Sequence, residues 1–224
     1  MVVAHLLAFQ GPSPLIMSLM PHAPPEICGL VLAGGRSRRM GQDKSLLAYH
    51  GRPQVEACYD LLRERLTDVY ISNRADQSKL PGHAGKPQLH DRYPDLGPMG
   101  GLLTAFNTRP DRAWLVVACD LPFLDRATLA HLLDHRDPSR PATAFRGEHN
   151  DLPEPMCAIY EPSLGARLGE FQAAGINCPR KILLAAHALL LELPHPDALL
   201  NANSPEEREE AQRNLRPDQQ THSH

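Results

Sequence analysis

Ile27-Cys28-Gly29-Leu30-Val31-Leu32-Ala33, closed by Gly34-Gly35, is the stretch that decides the fold. An unbroken apolar run of this length, stopped by two glycines, reads as a strand buried on both faces. A second such run, Trp114-Leu115-Val116-Val117-Ala118-Cys119, ends in Asp120-Leu121-Pro122. Outward from these two, the spacing predicts a helix over 53–65 that opens at Pro53 and shows Val55, Cys58, Tyr59 and Leu62 on one face. It predicts further helices over 102–107, 126–135, 162–174 and 179–188, and strands over 68–72, 142–145, 156–160 and 189–193. Ser204-Pro205-Glu206-Glu207 carries the cap, first-turn proline and acids of a last helix. Residues 74–98 are rich in Gly, Pro, Asp and His, and read as a long surface loop with little structure of its own. Loops of that length in compact domains tend to be functional. Doubly apolar strands alternating with helices give an α/β class, with a mostly parallel sheet covered by helices on both sides.

The 224 residues correspond to about 1.5 domains on the usual length scale. We expect one domain with two lobes over 26–215, preceded by an extension of no assigned role over 1–25 and followed by a frayed tail over 216–224. A net charge of −3 without a long block of one sign disfavours partners held by bulk positive charge, nucleic acid or a membrane surface. The five cysteines contain no C-x-x-C pair, which argues against a disulfide framework or structural zinc, and the histidines from His83 to His195 form no H-E-x-x-H or H-x-H cluster. A reducing cytoplasm is the compartment this implies. No Lys or Arg precedes Arg36, and Pro12 and Pro14 interrupt the early apolar stretches, so neither a secretory signal nor a membrane span is expected there.

In open α/β sheets, ligands bind beyond the carboxyl ends of the strands. The loop after the first strand is Gly34-Gly35-Arg36-Ser37-Arg38-Arg39-Met40-Gly41-Gln42-Asp43-Lys44. Its glycines let backbone approach a ligand closely, and four cations join them, the combination a polyphosphate needs. It is not a Walker A loop, because Gln42 and Asp43 separate Gly41 from Lys44, and it lacks G-x-G-x-x-G spacing. Asp120 puts a carboxylate on an apolar strand tip, which suits either a Mg²⁺ ligand or a cap for the helix beginning near Pro122 or Asp125. Gly97-Pro98-Met99-Gly100-Gly101 reads either as a turn and helix start or as backbone on which a planar base could lie.

Four segments, in order, resemble one family. They are Leu32-Ala33-Gly34-Gly35-x-Ser37-x-Arg39-Met40-Gly41-x-Asp43-Lys44; Asp91 with Tyr93-Pro94-Asp95-x-Gly97-Pro98-x-x-Gly101; Ala118-Cys119-Asp120-Leu121-Pro122; and Asn201-Ala202-Asn203-Ser204-Pro205-Glu206-Glu207. Together they look like the signature of the MobA-like NTP transferases, the molybdenum cofactor guanylyltransferases among them, over about residues 27–212. The resemblance implies a three-layer, Rossmann-like nucleotidyltransferase fold and transfer of GMP from GTP to the terminal phosphate of molybdopterin, with release of pyrophosphate. It implies that Leu32, Ala33, Gly34 and Gly35 contact the guanine nucleotide, that Arg39 and Lys44 face its phosphates, and that Asp91 and the base-adjacent Gly101 complete the nucleotide site. Ser72, followed by Asn73, stands where relatives often carry asparagine. Asp120 matches the Mg²⁺ ligand, with Mn²⁺ as the alternative ion, and Asn201 and Asn203 match the acceptor side. Arg39, Lys44 and Asp120 are the expected catalytic residues. The partners implied are GTP and the molybdenum cofactor, with molybdoenzymes or cofactor-insertion proteins receiving the product. Cytidine-using relatives typically read Leu-Ala-Ala-Gly, so the Leu32-Ala33-Gly34-Gly35 form, with Gly34 in place of that second alanine, favours GTP. A CTP-using molybdopterin enzyme or another small-phosphate nucleotidyltransferase is the alternative.

Overall fold

A computed structural model describes residues 23–35, 44–49, 51–147 and 151–201. The last helix read from Ser204, together with Arg39 and Asn203, lies outside the described residues.

The described strands are β1 (Ile27–Leu32), β2 (Val69–Asn73), β3 (Gln88–His90), β4 (Ala113–Ala118), β5 (Ala142–Arg146), β6 (Pro153–Tyr160) and β7 (Leu189–Leu191). They form one seven-stranded sheet in the order β3-β2-β1-β4-β6-β5-β7. The helices are α1 (Gln54–Arg63), α2 (Pro98–Thr108), α3 (Arg126–Asp134), α4 (Pro162–Gly165), α5 (Leu168–Ala173) and α6 (Pro179–Ala185).

Alternation along the two decisive runs explains why both are apolar throughout. Cys28 and Leu30 of β1 and Trp114 and Val116 of β4 pack on one face with Met99, Leu102 and Phe106 of α2 and Ile182 and Leu183 of α6. Val31 of β1 and Leu115 and Val117 of β4 pack on the other with Val55, Cys58 and Leu62 of α1 and Leu129 and Leu132 of α3. A strand covered on both sides has no solvated face, so no polar residue recurs at period two.

β1 pairs in parallel with both β2 and β4, while the chain runs outward from β1 to β3 and then returns to the other side of β1 as β4. The strand order therefore reverses between β1 and β4, and this switch point leaves a crevice at their carboxyl ends.

The sheet is mostly parallel, except for β6, which is antiparallel to both neighbours. Only residues 147–152 separate β5 from β6, too few for a crossover helix, so the chain returns as a hairpin. β6 also starts earlier than the predicted residue 156. A register shift at Ala144/Phe145 carries the pairing to Glu154 and Pro153 and leaves Pro155 in the irregular stretch, where its missing N–H costs no ladder bond.

Two further expectations are corrected. The helix predicted over 162–174 is broken after Gly165, a poor helix former at a place where an added Cβ would overlap the Phe106 ring. Residues 74–98 are not a structureless loop. They hold a 3₁₀ turn over Ala75–Gln77 and the edge strand β3. That segment is organised by polar side chains, described below, and therefore carries no hydrophobic period to read.

Candidate functional site

A cavity of about 720 Å³ opens at the switch point. Its wall includes Leu32, Ala33, Gly34 and Gly35 after β1, Ser72 at the end of β2, Asp91 after β3, Gly101 in α2 and Asp120 after β4, eight residues singled out from the sequence. Arg74, Pro94, Asp95, Gly97, Pro98 and Met156 complete much of the rim. Lys44 opens a one-turn 3₁₀ helix, Lys44–Leu46, at the far end of the loop that leaves Gly35. Asn201 is exposed and does not line this cavity.

The start of the loop is gripped from behind. Arg74 Nη1 donates to the carbonyls of Gly34, at 2.9 Å, and Gly35, at 3.1 Å, while its Nε donates to Asp76 Oδ1 at 3.0 Å. Gln77 Nε2 donates to the carbonyl of Ala33 at 3.1 Å, and Gln77 Oε1 accepts from the N–H of Arg74 at 2.9 Å. Three successive carbonyls are thus held on one side, which fixes the orientation of the peptide planes on the other. Among the described residues, an added Cβ on Gly35 would meet nothing within 4 Å. Arg74 and Gln77 were not found by sequence reasoning. The available signal was an arginine directly after an apolar strand, and nothing in the spacing tied it to residues 33–35.

Asp120 follows the last residues of β4, where Cys119 N–H donates to the carbonyl of Leu32 at 3.3 Å and Gln54 Nε2 donates to the carbonyl of Leu121 at 3.2 Å. The capping alternative for Asp120 is resolved by α3, whose N-cap is Asp125, with Oδ1 accepting from Thr128 N–H at 2.8 Å. Among the described residues no group of three or more His, Cys, Asp or Glu is placed to hold a metal. The wall offers a divalent cation a carboxylate at Asp120, leaving the rest of its shell to the oxygens of a bound phosphate and water. That donor set suits Mg²⁺, which takes one or two carboxylates plus substrate phosphates.

Asp91 lies under the first turn of α2. Its N–H donates to the carbonyl of Asn73 at 2.9 Å and its Oδ1 accepts from Tyr93 N–H at 2.8 Å. Burial pushes its carboxyl above the ordinary value, opposed by the Tyr93 N–H. The turn-and-helix-start reading of this stretch holds, and its glycines have a further use. A Cβ on Gly100 would come within 2.7 Å of both Asp91 carboxylate oxygens, and one on Gly101 within 2.7 Å of Leu32 Cδ2 and 2.8 Å of Ser72 Oγ. They let α2 close against Asp91, Leu32 and Ser72. Gly97, at φ +57°, supplies the left-handed residue that turns the chain into the helix.

Of the five cysteines, Cys119 borders this crevice, at 7% exposure. Cys28, Cys58, Cys119 and Cys157 are buried and Cys178 alone is exposed. Burial pushes the Cys58 thiol up to about 12 and the Cys157 thiol higher still.

Comparison with known proteins agrees with this architecture. Residues 29–190 match the MobA-like NTP transferase domain family. The chain is 36% identical over 189 residues to the molybdenum cofactor guanylyltransferase of Xanthomonas euvesicatoria, covering 80% of this chain and 90% of that one. It is also 36% identical over 179 residues to the molybdenum cofactor biosynthesis bifunctional protein of Synechocystis, covering 80% of this chain, and it spans about half of that longer protein, 52%. The crystal structure of molybdopterin-guanine dinucleotide biosynthesis protein A from Archaeoglobus fulgidus superposes with a TM-score of 0.69 at 20% identity, covering 85% of this chain and 99% of that one, a likeness of fold.

Proposed function

This chain belongs to the MobA-like NTP transferase family, and on that premise we propose that it transfers GMP from GTP to the terminal phosphate of the molybdenum cofactor, releasing pyrophosphate. The observation that carries the reading is the convergence of Leu32–Gly35, Asp91 and Asp120 on one cavity at the sheet's switch point. The catalytic unit is the domain over 26–215, in the cytoplasm, with molybdoenzymes or insertion proteins as recipients of the product.

Nucleotidyl transfer needs positioning and charge neutralisation more than covalent help. In this reading the held backbone of Ala33–Gly35 and the Ser72–Gly101 contact shape the nucleotide pocket, with Asp91 beside the base end. A phosphate oxygen of the acceptor attacks the α-phosphorus of GTP, the bond to the bridging oxygen of the β-phosphate breaks, and pyrophosphate departs. The acceptor is already a phosphate anion, so no general base is required. Arg39 and Lys44 neutralise the departing pyrophosphate. Asp120 would hold Mg²⁺, or Mn²⁺, which when bound would supply further neutralisation at the phosphates. Asn201 and Asn203 are the acceptor-side residues.

Pyrophosphate release measured with Mg²⁺ and each of the four NTPs, with and without molybdenum cofactor, tests this. Release is expected with GTP alone and only when the cofactor is present. Preference for CTP would move the enzyme to the cytidylyl relatives, and silence with every nucleotide would end the transferase reading.

A second measurement addresses the grip on the loop. Arg74→Ala removes the donors to the Gly34 and Gly35 carbonyls and is expected to raise the GTP dissociation constant about tenfold, the equivalent of one good hydrogen bond. Arg74 is part-exposed and away from the main cores, so the melting temperature should stay within about 3 °C. Unchanged GTP affinity in calorimetry would remove this role.

A further inference from the structure

The connection between β2 and β3 touches both ends of the basic loop. Arg74 and Gln77 hold its start, and His83 reaches its end. His83 is wholly buried, and its Nε2 lies 2.9 Å from Ser45 Oγ, 38 residues earlier and adjacent to Lys44 in the same 3₁₀ turn. Its other nitrogen, Nδ1, lies 2.9 Å from Asn73 Nδ2. An amide nitrogen can only donate, so Nδ1 accepts and the ring proton sits on Nε2, directed at Ser45. Asn73 is fixed in turn: its Nδ2 donates to Gln88 Oε1 at 2.8 Å and its Oδ1 accepts from His90 Nδ1 at 2.8 Å. A continuous chain of hydrogen bonds therefore runs from the edge of the sheet to the residue beside Lys44.

We propose that His83 is a positioning residue for Lys44: its Nε2–H, oriented by Asn73, pins Ser45 and so fixes the one-turn backbone from which the lysine departs. This rests on the role assigned to Lys44 in the transferase reading. A packed core histidine would serve stability alone. A positioning residue must act through the lysine, because misplacing a catalytic group by about 1 Å costs on the order of 100-fold in rate.

The test uses the full chain and two readouts, GTP-dependent pyrophosphate release with molybdenum cofactor and direct binding of inorganic pyrophosphate with Mg²⁺. His83→Leu and Ser45→Ala should each lower kcat roughly 10- to 100-fold and weaken pyrophosphate binding, with the KM for GTP within about threefold of the parent. His83→Gln, whose amide places a donor near the position of Nε2, should recover most of the rate. In a Lys44→Ala background, His83→Leu should cause no further loss. Independent, multiplicative losses from His83→Leu and Lys44→Ala would overturn the proposal. So would parental kcat and pyrophosphate affinity in a folded Ser45→Ala protein, which decides the matter if His83→Leu does not fold. A parent silent with every NTP would defeat the transferase reading, while the pyrophosphate-binding series would still judge the link from His83 to Lys44. Lys44→Ala binding pyrophosphate as well as the parent would remove the lysine's role and its positioning with it.

Discussion

Asp120→Asn is expected to lower turnover about 1000-fold while leaving the protein folded and about as stable as the parent. The side chain lines the crevice where the strand order reverses, and the neighbouring helix takes its cap from Asp125 instead. Asparagine keeps the size and one carbonyl oxygen but loses the charge, so the substitution removes neutralisation without opening a hole. Since Mg²⁺ would take much of its shell from substrate phosphates, the variant should also require a higher Mg²⁺ concentration for half-maximal rate. GTP affinity measured without divalent cation should change little. Parental turnover at limiting Mg²⁺ would exclude Asp120 as the metal-facing group. A collapse of thermal stability would instead make it a structural carboxylate.

The central half of the sheet was legible because β1 and β4 are covered on both faces and therefore announce themselves as continuous apolar runs. Their tips, Gly34-Gly35 and Asp120, were legible for the same reason: polar or flexible residues stand out where such a run stops. The break after Gly165 was less so, since a helix period continues past it and only the nearness of the Phe106 ring, remote in sequence, marks the spot. The grip of Arg74, Gln77 and His83 on the basic loop was hidden altogether. Those contacts span 38 to 44 residues and connect polar side chains to carbonyls and a hydroxyl, and a sequence records neither partner of such a bond. The long polar segment over 74–98 could be seen as unusual, but its structure lies in hydrogen bonds rather than in any apolar pattern.

Gly100→Ala should damage stability and nucleotide binding together, and the pairing of the two effects is what makes it informative. The added methyl would lie 2.7 Å from both oxygens of Asp91 and 2.7 Å from the carbonyl oxygen of Tyr93. The Tyr93 carbonyl belongs to backbone that is itself tied to Asp91 through the 2.8 Å bond from Tyr93 N–H to Oδ1, so neither neighbour can yield alone. Overpacking of this kind costs about 1–3 kcal/mol, which thermal unfolding would register as a lowered melting temperature. The carboxylate can escape only by leaving its place on the cavity wall, and GTP affinity should therefore fall about tenfold or more. Asp91→Ala removes two of the three close contacts. In that background Gly100→Ala should cost less stability than it does alone and should take nothing further from GTP affinity, because both changes disturb the same contact. Full GTP affinity in a destabilised Gly100→Ala protein would separate Asp91 from the nucleotide. A parental melting temperature would show that α2 can lift off Asp91 at no cost, and the closure of that helix over the cavity would then need another cause.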